Sequence, residues 1–145
     1  MRIAVADTSP IRYLVLIGRI EILPALFEKI VIPTAVRDEL AHPSAPDAVR
    51  NWIQAQASWL ELRDTSRDLL DSVLESLDEG ERAALKLAAF LDADIVLLDD
   101  RQGARAARSK GFRVIGTLRI LHLAAERGLL EWADSFERLT RTNFR

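Results

Sequence analysis

The stretch RIAVADTSPIRYL, residues 2–14, joins a short apolar run to a helical pattern through an aspartate. Residues 3–6 are all apolar, which is typical of a strand buried on both faces of a parallel sheet. Over residues 9–18 apolar side chains recur at helical spacing, so we predict an amphipathic helix with Pro10 at its first position. Asp7 lies between the two elements, where it either caps the helix or holds a ligand.

The rest of the chain repeats this alternation of short apolar runs and longer helical patterns. Runs of the same kind occupy residues 29–32, 95–98 and 113–116, and residues 59–62 form a candidate edge strand. The helical patterns span residues 34–41, 47–57, 64–77, 77–91, 101–110 and 117–127, the last ending at Gly128. We therefore predict a single α/β domain over residues 1–145. It should be a three-layer α/β/α sandwich around a central, mainly parallel sheet of four to five strands.

The composition narrows the possible chemistry. The chain has no cysteine and only two histidines, which argues against a zinc site built from these residues. A bound metal would need carboxylate ligands, which suit Mg²⁺ or Mn²⁺. No apolar run is long enough for a secretory signal or a membrane span, so we expect a cytoplasmic protein that does not bind membranes. The net charge of −2 means that nucleic-acid binding would need a local positive patch.

Acidic residues follow two of the predicted strands directly. Asp7 comes after the first strand and Asp99-Asp100 after the strand at 95–98, while Glu39 and Glu81 lie on nearby helices. Such a cluster would repel itself by several kcal/mol unless a cation binds or the pKa values rise. A divalent metal removes that repulsion, and it can lower the pKa of a bound water and stabilise displacement at phosphorus. The acids together indicate metal-dependent phosphodiester hydrolysis.

Each acid also has a purely structural explanation. Asp7 could cap the first helix, because Asp is favoured at the N-cap. Asp78 with Glu81 matches a capping box, and the Asp99-Asp100 pair would complement the dipole of the following helix. Glu39 lies inside its helix, where its structural alternative is an ordinary solvated side chain.

Four motifs, in this order and at this spacing, resemble the PIN domain, the ribonuclease fold shared by VapC-type toxins of toxin–antitoxin pairs. They read VADTSPIRYL, VRDEL, LDEGERAALKLA and VLLDDRQGARAARSKGFRVIGTL. The resemblance runs from Ile3 to about Leu130, and the GTL at residues 116–118 resembles a poorly characterised PIN-like branch. It implies an endoribonuclease that uses Mg²⁺ or Mn²⁺, has a cognate antitoxin partner and forms a homodimer. The alternative is a catalytically weak or inactive PIN-like module that binds or scaffolds.

The resemblance also assigns site residues. The catalytic and metal-binding acids would be Asp7, Glu39, Glu81, Asp99 and Asp100. Thr8 or Ser9 would assist the first acid, and helix capping would also fall to one of them. Glu81 stands where many VapC toxins have Asp, and the later motif lacks the common D-x-x-F continuation. It therefore stays open whether Asp99, Asp100 or both face the metal.

A basic stripe supplies the predicted contact to substrate. Arg101, Arg105 and Arg108 recur on one face of the helix that starts beside the last acids, as a track for RNA phosphates would. The alternative is a solvated helix face with ion pairs. Arg12 is a second candidate phosphate contact. The full predicted substrate-binding set is Thr8, Ser9, Arg12, Arg101, Arg105, Arg108 and Thr117.

Overall fold

A computed structural model describes residues 2–65 and 72–145, without the side chains of residues 72 and 73. Within this part of the chain the strands are β1 (Ile3–Ala6), β2 (Lys29–Ile32), β3 (Leu60–Leu62), β4 (Ile95–Leu97) and β5 (Arg113–Ile115). They form one sheet in the order β3-β2-β1-β4-β5, and every neighbouring pair is parallel. The predicted strands are confirmed, including β3 at one edge. All five strands therefore end at the same edge of the sheet, called here the carboxyl edge.

The helices of the described residues alternate with these strands. They are α1 (Thr8–Leu16), α2 (Ile22–Leu26), α3 (Thr34–Leu40), α4 (Asp47–Gln54), α5 (Ser72–Glu75), α6 (Glu79–Leu91), α7 (Arg101–Ser109), α8 (Thr117–Glu126) and α9 (Trp132–Thr140). Among them, α2 and α9 were not predicted. None of the helices in residues 2–65 and 72–145 is long and apolar enough to cross a membrane.

One predicted helix, over residues 64–77, differs from the structure. Residues 64 and 65 are not helical, residues 72–75 form α5, and Ser76 and Leu77 make a turn before α6. The middle of the predicted helix, residues 66–71, lies outside the described residues.

Alternate residues of each strand face opposite layers, which confirms the three-layer sandwich. Ala4 and Ala6 of β1 pack in one core with side chains of α1, α2, α3, α4, α8 and α9. Val5, between them, packs in a second core with α5, α6 and α7. All three are fully buried, because helices cover both faces of the sheet.

The start of α1 differs from the prediction. Asp7, with extended backbone (φ −82°, ψ 175°), takes the N-cap position, and Thr8 is the first helical residue. Pro10 is the third residue of α1, which proline tolerates because the first-turn N–H groups have no partner inside the helix. Gly128 has a positive φ (71°) just after α8, as predicted for a helix terminator.

Candidate active site

Asp7 lies at the middle of the carboxyl edge. Its backbone N–H donates to the carbonyl of Leu97 on β4 at 2.9 Å, so the neighbouring strand holds it in place. The residue is only 6% exposed, and its Oδ1 has no hydrogen-bond partner in the described part of the chain. Although it occupies the N-cap position, its side chain makes no capping hydrogen bond. Its Oδ1 is therefore left free to bind something else.

Burial raises the pKa of Asp7 to about 7. The backbone N–H of Thr8 partly offsets this rise, and repulsion from Asp78, Glu39 and Asp99 adds to it. These repulsions indicate that acids from three other segments lie close to Asp7; Glu39 and Asp99 were predicted there, and Asp78 was not. The cost of desolvating the charged form dominates, as expected for a carboxyl group in a low-dielectric position.

Glu39 is an exposed residue on α3 that reaches the start of α1. Its Oε2 accepts a hydrogen bond from the Thr8 hydroxyl at 2.6 Å. Thr8 therefore orients Glu39 and does not cap α1. Ser9 lies in the first turn of the same helix and does not cap it either, so the predicted capping by Thr8 or Ser9 is wrong.

Glu81 lies near the start of α6 and is as buried as Asp7. Its backbone N–H donates to the carboxylate of Asp78 at 2.8 Å, which confirms Asp78 as the N-cap of α6. The Oε2 of Glu81 has no hydrogen-bond partner among the described residues. Burial, and then the adjacent carboxylates of Asp78 and Asp100, raise the pKa of Glu81 well above its usual range.

Asp99 and Asp100 have different surroundings. The two oxygens of Asp99 accept from the backbone N–H and from the hydroxyl of Thr117, both at 2.7 Å. Burial raises the pKa of Asp99, and these two hydrogen bonds only partly oppose the rise. Asp100 is the N-cap of α7 and accepts from the N–H of Gly103 at 2.8 Å. Asp99 therefore lies toward Asp7, and Asp100 toward Glu81.

The predicted role of Thr117 changes with its position. The side chain is fully buried, and its hydroxyl donates to Asp99. A group with no exposed surface cannot contact substrate directly. Thr117 orients a site acid instead, as Thr8 does for Glu39.

Sequence reasoning treated Asp78 only as a helix cap. In the structure it is the largest source of repulsion for Asp7 and one of two for Glu81, so it belongs to the acidic cluster. The signal that could have identified it is its place directly before a helix that begins at the carboxyl edge. In this position an N-cap side chain faces the same space as the strand-end acids.

Several helices begin at this edge and partly offset its negative charge. The N-termini of α1, α3, α6, α7 and α8 all lie at the ends of the strands or beside them, as parallel connections require. The positive end of each helix dipole therefore faces the acids. The pKa values of Asp7, Glu81 and Asp99 are nevertheless raised, so the dipoles do not replace a cation.

The donor set fits a divalent metal, although the side chains do not form a closed ligand set. Within residues 2–65 and 72–145, no three His, Cys, Asp or Glu side chains are arranged to hold one metal ion. Carboxylates with no cation between them repel each other and stay apart. The unpartnered Asp7 Oδ1 and Glu81 Oε2 are hard oxygen donors, the kind that Mg²⁺ and Mn²⁺ prefer.

A cleft of about 470 Å³ opens beside Asp99. Arg101, Arg105 and Arg108 of α7 line it together with Asp99, as the helical spacing predicted. All three arginines are exposed, and in the described part of the chain none of them has an acidic partner. The stripe is therefore a solvated helix face, but the described residues supply none of the ion pairs that the alternative prediction included.

Arg12 lies elsewhere. It lines a separate groove with Arg138 and Arg141 of the C-terminal region, and its guanidinium lies 5.8 Å from the ring centroid of Tyr13. The structure does not bring Arg12 into the cleft that holds Asp99.

A family model, DUF3368, described as a PIN domain, matches residues 3–145. This chain belongs to the PIN domain family. PIN domains are generally nucleases, and they generally use divalent metal ions. The match covers all of the acids at the carboxyl edge and the arginines of the α7 stripe.

A solved structure gives the same fold. The chain is similar to a PilT N-terminus domain protein from the hyperthermophilic archaeon Sulfolobus solfataricus P2, with a TM-score of 0.61 and 17% sequence identity. The match covers 86% of this chain and 94% of the archaeal one. At this identity the likeness concerns the fold alone. No curated protein matches the chain.

Proposed function

We propose that this PIN domain is a divalent-metal-dependent endoribonuclease that hydrolyses RNA phosphodiester bonds. The observation that carries the proposal is a pair of buried oxygens, Asp7 Oδ1 and Glu81 Oε2, that have no hydrogen-bond partner among the described residues. They lie at the edge where Glu39 and Asp99 also converge. Burying a carboxylate without a partner costs free energy unless a cation offsets it. RNA is the favoured substrate because the motifs resemble those of VapC-type ribonucleases.

Each part of the site has a role in this proposal. Asp7, Glu39, Glu81, Asp99 and Asp100 would hold Mg²⁺ or Mn²⁺. The bound metal supplies an activated water at neutral pH and stabilises negative charge at phosphorus. Thr8 and Thr117 fix the direction of two of these carboxylates through their hydroxyl groups. The arginines of α7 bind phosphates of the RNA strand as it approaches the acids, since guanidinium groups match phosphate geometry.

A metal titration tests the proposal directly. Mn²⁺ or Mg²⁺ should raise the melting temperature of the wild type, because a ligand that binds only the folded state stabilises it by about 2.7 kcal/mol at 100 times its Kd. Asp7→Asn should abolish both this shift and RNA cleavage. The matched control is Asp38→Asn, since Asp38 precedes Glu39 on α3 but pairs with Arg37 on the surface. A wild type that neither responds to metal nor cleaves RNA would indicate the binding or scaffolding module.

We also propose that the protein is the toxin of a toxin–antitoxin pair, with a cognate antitoxin and a homodimeric state. The resemblance to VapC-type toxins supports this role, and so does the exposed apolar surface of α8, α9 and the segment between them. Its large side chains are Leu118, Leu129, Trp132 and Phe136. Surfaces of this kind often bind another protein. The wild type should elute as a dimer in light-scattering chromatography and Trp132→Glu as a monomer; a monomeric wild type would contradict the homodimer.

A further inference from the structure

Three glycines of the site stand where helices begin. Gly80 and Gly103 lie in the first turns of α6 and α7, and Gly116 directly precedes α8. At each of them, the space that a Cβ would fill holds the carboxylate of a site acid. These acids are Glu39 at Gly80, Glu81 at Gly103 and Asp99 at Gly116.

The contacts leave no room for a side chain. A Cβ on Gly103 would lie 2.5 Å from Glu81 Oε2 and 3.0 Å from the side chain of Leu98. On Gly116 it would lie 2.9 Å from Asp99 Oδ1, and on Gly80 it would overlap with Glu39 Oε1. Non-bonded carbon and oxygen atoms do not approach so closely, so the carboxylates would have to move.

Backbone conformation does not explain these glycines. Gly18, Gly111 and Gly128 have positive φ values and need glycine for that reason, whereas Gly80, Gly103 and Gly116 have φ values that any residue adopts. Inside a helix glycine is less favourable than alanine. The space taken by the carboxylates is therefore the reason for glycine at Gly80 and Gly103 within their helices.

We propose that Gly80, Gly103 and Gly116 are positioning residues that set where the carboxylates of the metal site stand. Without a Cβ, the start of each helix can approach a site acid until its oxygen contacts the backbone. This inference rests on the proposed function, because the acids concerned are the proposed metal ligands. The buried oxygens of Asp7 and Glu81 that lack partners lie in the same cluster.

Mn²⁺ binding, followed by electron paramagnetic resonance on the folded protein, tests the proposal. Gly80→Ala and Gly116→Ala should each weaken Mn²⁺ binding about tenfold or more, because displaced ligands and their supports typically cost 10- to 100-fold. Gly111→Ala is the matched control: its φ is 89°, and no atom lies within 4 Å of the added Cβ. It should lower stability through backbone strain and leave Mn²⁺ affinity unchanged. Equal affinities in all three variants and the wild type would overturn the proposal.

Shortening Glu39 to aspartate should compensate for the methyl group that Gly80→Ala adds. In Gly80→Ala the new methyl group takes the place of the Glu39 carboxylate, and Glu39→Asp withdraws that carboxylate by one methylene. The double variant should bind Mn²⁺ as well as Glu39→Asp alone, so the two losses are not additive. Additive losses would show that Gly80 acts independently of Glu39, which contradicts the proposal.

A measurement without metal separates this proposal from the proposed function. The amide N–H of Thr117 donates to Asp99 Oδ1 at 2.7 Å. In metal-free Gly116→Ala the resonance of the Thr117 amide proton should move upfield, because the hydrogen bond to Asp99 lengthens. In Gly111→Ala the same resonance should not move. An unchanged resonance in Gly116→Ala would overturn the positioning role even if the wild type binds Mn²⁺. A wild type that binds no Mn²⁺ would refute the metal site, while the resonance shift still supports positioning.

Discussion

The acids at the two edges of the sheet have different surroundings. Where the strands begin, Asp94 is exposed and accepts a hydrogen bond from the backbone N–H of Ile3 at 2.9 Å. Where the strands end, Asp7 and Glu81 are buried, and each keeps one oxygen without a partner in the described residues. The first arrangement adds stability and the second subtracts it, as functional sites commonly do. The acids of the carboxyl edge therefore lower the stability of the folded chain, and this cost is typical of a functional site.

Asp7→Asn and Asp94→Asn should give the largest contrast between the edges. We expect Asp7→Asn to lower RNA cleavage at least about 100-fold. Loss of a residue that only orients a metal ligand typically costs about 10- to 100-fold, and loss of the ligand itself should cost more. At pH 8 without metal, the same change should raise the free energy of unfolding by about 1–3 kcal/mol, since it removes a buried charge. Asp94→Asn should keep activity and slightly lower stability. Denaturant unfolding and a cleavage assay measure both effects. If the two variants change stability and cleavage alike, the acids of the two edges do not have different roles.

The pH dependence of stability should also differ between the edges. The folded-state pKa of Asp7, about 7, exceeds its ordinary value of 3.8, so the folded protein holds an extra proton between these values. Without metal, stability should therefore fall as pH rises from about 4 to about 7, by up to about 1.4 kcal/mol per pH unit for this group. The raised pKa of Glu81 continues the fall to higher pH.

Urea unfolding with a chelator at pH 5, 6, 7 and 8 measures this slope. Asp7→Asn should make the slope shallower over that range without abolishing it, because Glu81 also keeps an extra proton there, and Asp94→Asn should leave the slope unchanged. A wild type whose stability rises across the range would contradict the buried, unpaired state of Asp7.

Thr117→Val and Thr34→Val should separate support of the site from a hydroxyl–carboxylate contact outside it. Each hydroxyl donates to an aspartate, Thr117 to Asp99 and Thr34 to Asp64, but only Asp99 belongs to the acidic cluster. Thr117→Val should weaken Mn²⁺ binding about tenfold, as expected for a residue that orients a ligand. Thr34→Val should lower the melting temperature and keep the Mn²⁺ affinity. Titrations of the two variants check this, and equal Mn²⁺ affinities would count against a role for Thr117.

Arg105 of α7 and Arg141, which directly follows α9, should give the smallest effect. Arg141 pairs with Glu137 of α9, whereas Arg105 has no acidic partner in the described part of the chain. Arg105→Gln should weaken single-stranded RNA binding several-fold and lower the salt slope by about 0.7, the loss of one phosphate contact. Arg141→Gln should change neither quantity. Fluorescence anisotropy over a range of salt concentrations distinguishes them, and similar slopes would show that α7 is not the RNA track.

The errors of sequence-based prediction have local causes. The helix α2 has five residues with Pro24 at its centre, too short for a periodic pattern to stand out. The helix α9 buries only Ser135 and Leu139 and exposes two aromatic side chains, so its apolar residues do not mark one inward face. Pro10 suggested a helix start two residues late, because proline is tolerated anywhere in the first turn.

The sequence alone determined the parallel sheet and the edge at which its acids gather. Strands covered on both faces must be almost wholly apolar, and parallel strands all end on the same side, so Asp7 and Asp99 had to lie at the same edge. Only the tertiary structure placed β1 beside β4 and made these two acids neighbours. Only the tertiary structure decided the contacts between helices. Thr8 donates a hydrogen bond to Glu39, and Thr117 donates one to Asp99. These bonds, and the close approach of the site carboxylates to the three glycines, depend on how the helix ends pack against each other. These contacts join residues far apart in sequence, where local periodicity carries no information about distance.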